Sequence, residues 1–114
     1  MLHPEVARRM NLIANTCALY GIPFRITSTW RSRAAQERLY KAWLARGKTG
    51  LPAAPPGTST HEYGLAFDAD FPKEKTSAVV DIAARFGMVW FGASDRVHFD
   101  PFGPALWREI ISGR

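Results

Sequence analysis

The 114-residue sequence holds a single cysteine, Cys17. No disulfide can form within the chain, which excludes a small scaffold held together by disulfides, and the apolar neighbours of Cys17 predict a buried, inert thiol. No apolar run approaches the roughly 18 residues of a membrane helix, so stable membrane insertion is not expected. The first residues, Met-Leu-His-Pro-Glu-Val-Ala-Arg-Arg, lack the basic-then-apolar order of a signal peptide, so cytoplasmic synthesis without an export signal of its own is expected. Repeats and low-complexity segments are missing. With 46% hydrophobic and 22% charged residues the composition excludes disorder. The length suits one domain, residues 1–114, with a single core and no separate substrate domain; a monomer is expected.

Acidic residues are scarce in one half only. Residues 1–60 carry nine Lys/Arg against two Asp/Glu, and residues 61–114 carry six against eight. A basic half of +7 suits an anionic partner such as a nucleic acid, an anionic membrane or a cell-wall polymer, although a merely solvated basic surface has the same composition. The cations form no dense tract, and no zinc-finger or helix-turn-helix signature accompanies them, so nucleic acid is not the expected partner.

Val6, Met10, Ile13 and Cys17 recur at helical spacing and predict a first helix, ended by Gly21-Ile-Pro23. Phe24 to Thr29 alternates and is rich in β-branched residues, as a strand would be. Ser32 can cap a second helix that runs through Ala35, Leu39 and Trp43 towards Gly47. Lys48 to Thr60, with three prolines and two glycines, must be a loop, long enough to shape a cleft. Gly64 to Phe71 reads as a strand. Ser77 to Phe86 reads as a helix with Val79, Ile82, Ala83 and Phe86 inward. Met88 to Phe91 and Arg96 to Asp100 read as two strands joined by a turn at Gly92-Ala-Ser, and Pro104 to Ile111 as a last helix. This order predicts an α+β fold, a small antiparallel sheet with flanking helices.

The chemistry-bearing residues are concentrated in His61-Glu-Tyr-Gly-Leu-Ala-Phe-Asp68 and Asp95-Arg-Val-His98. Two imidazoles and one carboxylate suit a divalent zinc ion, and three ligands leave a fourth position open, as a hydrolase requires. Taken singly, each is as readily a structural residue. Asp68 and His98, however, lie in apolar strand segments, where an inward ionisable group needs a partner or a metal.

Ser28-Thr-Trp-Arg31-Ser32, Gln36, Gly57-Thr-Ser59-Thr-His61-Glu-Tyr-Gly64-Leu-Ala-Phe-Asp68 and Asp95-Arg-Val-His98-Phe together resemble the zinc D-Ala-D-Ala carboxypeptidase family. That family includes vancomycin-resistance D,D-peptidases and bacteriophage L-alanyl-D-glutamate endopeptidases, and it shares its fold with the Hedgehog signalling domain. The resemblance spans about residues 2 to 100, with the blocks in order. It implies that His61, Asp68 and His98 bind Zn2+, that Asp95 acts as general base and then acid, and that Arg31 stabilises the oxyanion or anchors a substrate carbonyl. The implied substrate is a peptidoglycan stem peptide.

Ser59, Gln36 and Trp90 are candidate substrate contacts, although Ser59 suits a turn cap equally well. Asp70 and Asp100 are read as solvated, and Trp30, Trp43, Trp90 and Trp107 as mainly core, with Trp90 the one expected to line the cleft. Many family members have glutamate where this chain has Asp95, and the shorter acid resembles the phage endopeptidases. The resemblance then implies an L-Ala–D-Glu endopeptidase endolysin that reaches the wall after holin-type release. Removal of terminal D-Ala by a carboxypeptidase, and a zinc-containing binding module without catalysis, are the competing readings.

Overall fold

The computed structural model describes residues 1–104. Its elements are α1 (Pro4–Leu19), β1 (Arg25–Ser28), α2 (Arg33–Ala45), β2 (Phe67–Asp70), α3 (Thr76–Arg85), β3 (Val89–Trp90) and β4 (His98–Asp100), with single 3-10 turns at Thr60–Tyr63, Lys73–Lys75 and Ala93–Asp95. The expected helix to Ile111, and Trp107 within it, lie outside the described residues.

The four strands form one antiparallel sheet in the order β1-β2-β4-β3, in agreement with the expected α+β class. Every strand is shorter than its sequence pattern. Apolar character continues past the point where ladder pairing stops: Leu65 and Ala66 precede β2, and Val97 precedes β4.

α1 starts with Pro4 in its first turn, where the missing N–H costs nothing, and His3 Nδ1 accepts from the Glu5 amide at 3.1 Å. It buries Val6, Ile13 and Cys17, and α3 buries Val79, Ile82 and Ala83. Both helices pack with one face of the sheet, whose core residues are Phe67, Ala69 and Phe99, joined by Phe71 just after β2. Cys17 is buried and free, as expected. Phe67 and Phe99 are paired across β2 and β4, and their rings stack at 5.2 Å. Truncating either to alanine removes about 3–5 kcal/mol. Alternation along β2 therefore sends Phe67 and Ala69 into the core and turns Asp68 to the opposite face.

α2 begins at Ser32, whose hydroxyl accepts from the Ala35 amide at 3.1 Å, as expected of the cap. Its inward stripe is not the expected one. Gln36 is its only buried residue, while Leu39 stays 44% exposed and Trp43 is half-buried against Tyr40. Helical periodicity records an apolar face but not what covers it, and here that face borders an open cleft. Trp30 likewise departs from the core reading: it is 47% exposed, with its indole N–H donating to the Glu62 carbonyl at 3.2 Å.

Candidate metal centre and cleft

His61, Asp68 and His98 converge, with one ligand atom from each lying within 4.8 Å of the others. Three elements bring them together. Asp68 on β2 and His98 on β4 are directly opposed in the antiparallel ladder, so both side chains rise from the same face. His61 comes from the 3-10 turn Thr60–Tyr63, which is secured on both sides. Ser59 Oγ accepts from the His61 amide at 3.2 Å, and Glu62 Oε2 accepts from the Ser59 amide at 3.0 Å. The Glu62 carboxylate also accepts from the Gly57 amide at 2.9 Å, and the Arg31 amide donates to the His61 carbonyl at 3.1 Å. Gly64 closes the turn at φ +71°, where a Cβ would collide with the Met1 carbonyl, and its own carbonyl accepts from the His3 amide.

Each imidazole is oriented from behind. His61 Nδ1 donates to the Thr29 carbonyl at 2.7 Å, which turns Nε2 towards Asp68 Oδ1 at 3.0 Å. His98 Nε2 lies 2.8 Å from Asp100 Oδ2, and its Nδ1 lies 3.4 Å from Asp68 Oδ1. Ligands about 2.1 Å from a tetrahedral zinc ion stand roughly 3.4 Å apart. Both distances to Asp68 suit that spacing, and the donor set of two imidazoles and a carboxylate suits the ion.

The charges couple strongly. Burial works to raise Asp68, but hydrogen bonds from His61 and His98 outweigh it and hold the carboxyl well below its ordinary value. Burial works to lower His98, yet the Asp100 and Asp68 carboxylates outweigh it and lift the imidazole to about 9. Asp95 behaves differently: burial raises it to about 6, with His98 opposing and Asp68 adding to the rise. Asp95 is therefore a carboxylate made basic by its surroundings, the property wanted in a general base near neutral pH.

A cleft of about 370 Å³ opens over this floor. Arg31, Gln36, Ser59, Asp95 and Phe91 all line it, together with Leu51 to Ala54 of the loop before the 3-10 turn. Arg31 is held in place: Nη1 donates to Gln36 Oε1 at 2.8 Å, Nη2 donates to Ser28 Oγ at 2.9 Å, and Nη2 lies 3.5 Å from Asp68 Oδ2. Gln36 in turn donates to the Ala54 carbonyl at 2.8 Å, so it joins α2, Arg31 and the loop.

Two expectations need correction. Trp90 is not among the residues lining the cleft; its indole N–H donates to the Arg96 carbonyl at 2.8 Å and its ring packs against the core, while the next residue, Phe91, faces the cleft with its ring 5.4 Å from His98. A side-chain period of two means that an offset of one residue exchanges the faces. Asp100 is not solvated. It is 3% exposed, bonded to His98, and accepts through Oδ1 from the backbone amides of Phe102 and Gly103. Burial would raise its carboxyl, but His98 and these amides hold it below the ordinary value. The spacing His98-x-Asp100 already placed both on one face, although nothing in the sequence showed that this face is covered. Asp70, by contrast, is exposed as expected, near Arg25 and Arg96. Glu62, absent from the expected site residues, also supports the centre, and its signal in the sequence is the Ser59-x-x-Glu62 capping pattern.

Residues 1–93 match the family model of VanY, D-alanyl-D-alanine carboxypeptidase. The chain is 33% identical over 81 residues to the peptidoglycan L-alanyl-D-glutamate endopeptidase CwlK of Bacillus subtilis (strain 168), covering 71% of this chain and 48% of that protein. It therefore spans about half the length of this curated relative. Among solved structures, the LdcB LD-carboxypeptidase is similar with a TM-score of 0.71 at 23% identity, over 99% of this chain and 72% of that one. A vancomycin-resistance D,D-pentapeptidase VanY variant in complex with Zn(II) is similar with a TM-score of 0.70 at 17% identity, over 98% and 79% respectively. At these identities the structural likeness establishes the shared fold.

Proposed function

The chain belongs to the VanY D-alanyl-D-alanine carboxypeptidase family, and from that premise we propose that it is a zinc-dependent peptidase of peptidoglycan stem peptides, cutting the L-Ala–D-Glu bond. The observation that carries this reading is the convergence of His61, Asp68 and His98 on the floor of a cleft that also holds Asp95 and Arg31. A purely structural metal site needs neither of the last two, and this argues against a binding module without catalysis.

His61 Nε2, Asp68 and His98 Nδ1 would hold the metal. A bound zinc ion supplies Lewis acidity and lowers the pKa of water. Asp95 takes the proton of the attacking water and returns it to the leaving amine, a task suited to a carboxyl that burial lifts to about 6. Arg31, fixed by Gln36 and Ser28, presents a preorganised positive charge to the oxygen that becomes negative as the carbonyl turns tetrahedral. Ser59 secures the His61 turn, and Gln36 secures Arg31 and the loop.

The choice of bond rests on the CwlK-like sequence and on aspartate at position 95. A lytic role as a phage endolysin is the finer form of the proposal and rests on the same aspartate. Removal of terminal D-Ala is the second reading, favoured by the family model. Mass spectrometry of purified peptidoglycan incubated with zinc-loaded protein, beside a chelated control, separates them. New D-Glu amino termini, absent after chelation, are the expected result; free D-Ala establishes the carboxypeptidase; no new termini with the loaded protein overturns both.

A further inference from the structure

Resting on the metal-site reading above, we propose that Asp100 is a positioning residue, which fixes His98 with its proton on Nε2 and its Nδ1 lone pair turned to the metal site. His98 Nε2 and Asp100 Oδ2 lie 2.8 Å apart. An ionised carboxylate only accepts, so the proton in that contact belongs to Nε2, and Nδ1, 3.4 Å from Asp68 Oδ1, is left as the ligand.

Asp100 is itself immobilised. Oδ1 accepts from the Phe102 amide at 2.8 Å and from the Gly103 amide, while the Thr60 hydroxyl donates to Oδ2 at 3.3 Å. Rotation of the carboxylate would break bonds at both oxygens in a site that water scarcely reaches. The chain thus runs from the turn after β4, through Asp100, to the imidazole.

The comparison with His61 shows what this arrangement determines. His61 is anchored through Nδ1 by a neutral carbonyl and offers Nε2; His98 is anchored through Nε2 by an anion and offers Nδ1. Each ligand nitrogen is selected by the partner on the far side of its ring. An anionic partner also increases the basicity of the ligating nitrogen, and loss of such partners typically weakens metal binding about 10–100-fold.

Asp100→Asn tests this with almost no change of shape. The side-chain carbonyl can still accept from the Phe102 and Gly103 amides, which leaves an NH2 group facing His98. Nε2 then accepts from that NH2 group, as it can also from the Thr60 hydroxyl 3.3 Å away, and the ring proton moves to Nδ1, where the metal is to bind. Zinc affinity, measured by competition with a chromogenic chelator, is expected to fall about 10–100-fold, with circular dichroism of the metal-free protein unchanged and Asp70→Asn binding as wild type. Equal zinc affinity in Asp100→Asn and wild type overturns the proposal.

Long-range 1H–15N correlation spectra of wild-type His98 provide a second readout that does not depend on how the variant folds. A proton on Nε2 of the zinc-loaded ring supports the assignment, and a proton on Nδ1 overturns it. A wild-type protein that takes up no zinc overturns the metal-site reading instead. The tautomer of the neutral ring in the metal-free protein at alkaline pH then decides the role of Asp100 by itself.

Discussion

As the proposed general base, Asp95 sets function against stability. A carboxyl raised from 3.8 to about 6 by burial binds its proton more tightly in the folded than in the unfolded protein. Folding stability is accordingly lost as pH rises through that window, and the cost is fully present above about pH 6. Asp95→Asn removes the titrating group while keeping the shape. The metal-free variant should melt at a higher temperature than metal-free wild type at neutral pH, with the gain vanishing below about pH 4, and it should bind zinc yet lose most of its turnover. A variant that melts at or below wild type at neutral pH, or that keeps its turnover, contradicts this account. In the loaded wild type, the acid limb of kcat/KM should lie at or below about pH 6, because a nearby cation can only lower a carboxyl.

At the scale of elements, two devices hold the centre: the β2–β4 ladder and the strapped 3-10 turn. The ladder is backed by the Phe67–Phe99 stack, so one register positions the core and the candidate ligands Asp68 and His98 together. The turn depends on Glu62, a side chain only 4% exposed that accepts from the amides of Gly57 and Ser59. Glu62→Ala leaves the amide of buried Ser59 and that of half-buried Gly57 without their carboxylate, at a cost of about 1–3 kcal/mol for a buried group left unsatisfied. The expected outcome is a lower thermal midpoint and weaker zinc binding together, with the pH profile of any remaining turnover unshifted. A midpoint loss without any change in zinc affinity would separate the turn from the site.

At the scale of the whole molecule, the charge asymmetry of the sequence finds a place. Arg38, Arg46 and Lys48, on and just after the α2 wall, are exposed, and none forms a salt bridge among the described residues. Attraction of this wall to an anionic polymer should be screened by salt. Cosedimentation with purified anionic cell walls is expected to decline as salt rises from about 0.1 M to about 1 M, over which the screening length falls from about 10 Å to about 3 Å. Hydrolysis of a short soluble peptide should change much less, since its contacts lie inside the cleft. Equal salt sensitivity of the two would assign the dependence to the catalytic centre itself.

The sequence by itself determined the α+β class, the N-cap at Ser32, the inward faces of α1 and α3, and the three candidate metal ligands, while Asp95 and Arg31 came from the resemblance of its motif blocks to a known family. These follow from period, local capping and motif, which act over a few residues along the chain. Only the tertiary structure decided which apolar faces are covered and which polar groups are buried. α2 kept the right periodicity yet turned it to an open cleft, Phe91 rather than Trp90 reached that cleft, and Asp100 lies buried against His98 rather than in solvent. Burial depends on what the rest of the chain lays over a residue, and hydrogen bonds such as Thr29 to His61 or Gln36 to Ala54 span 32 and 18 positions that no local pattern connects.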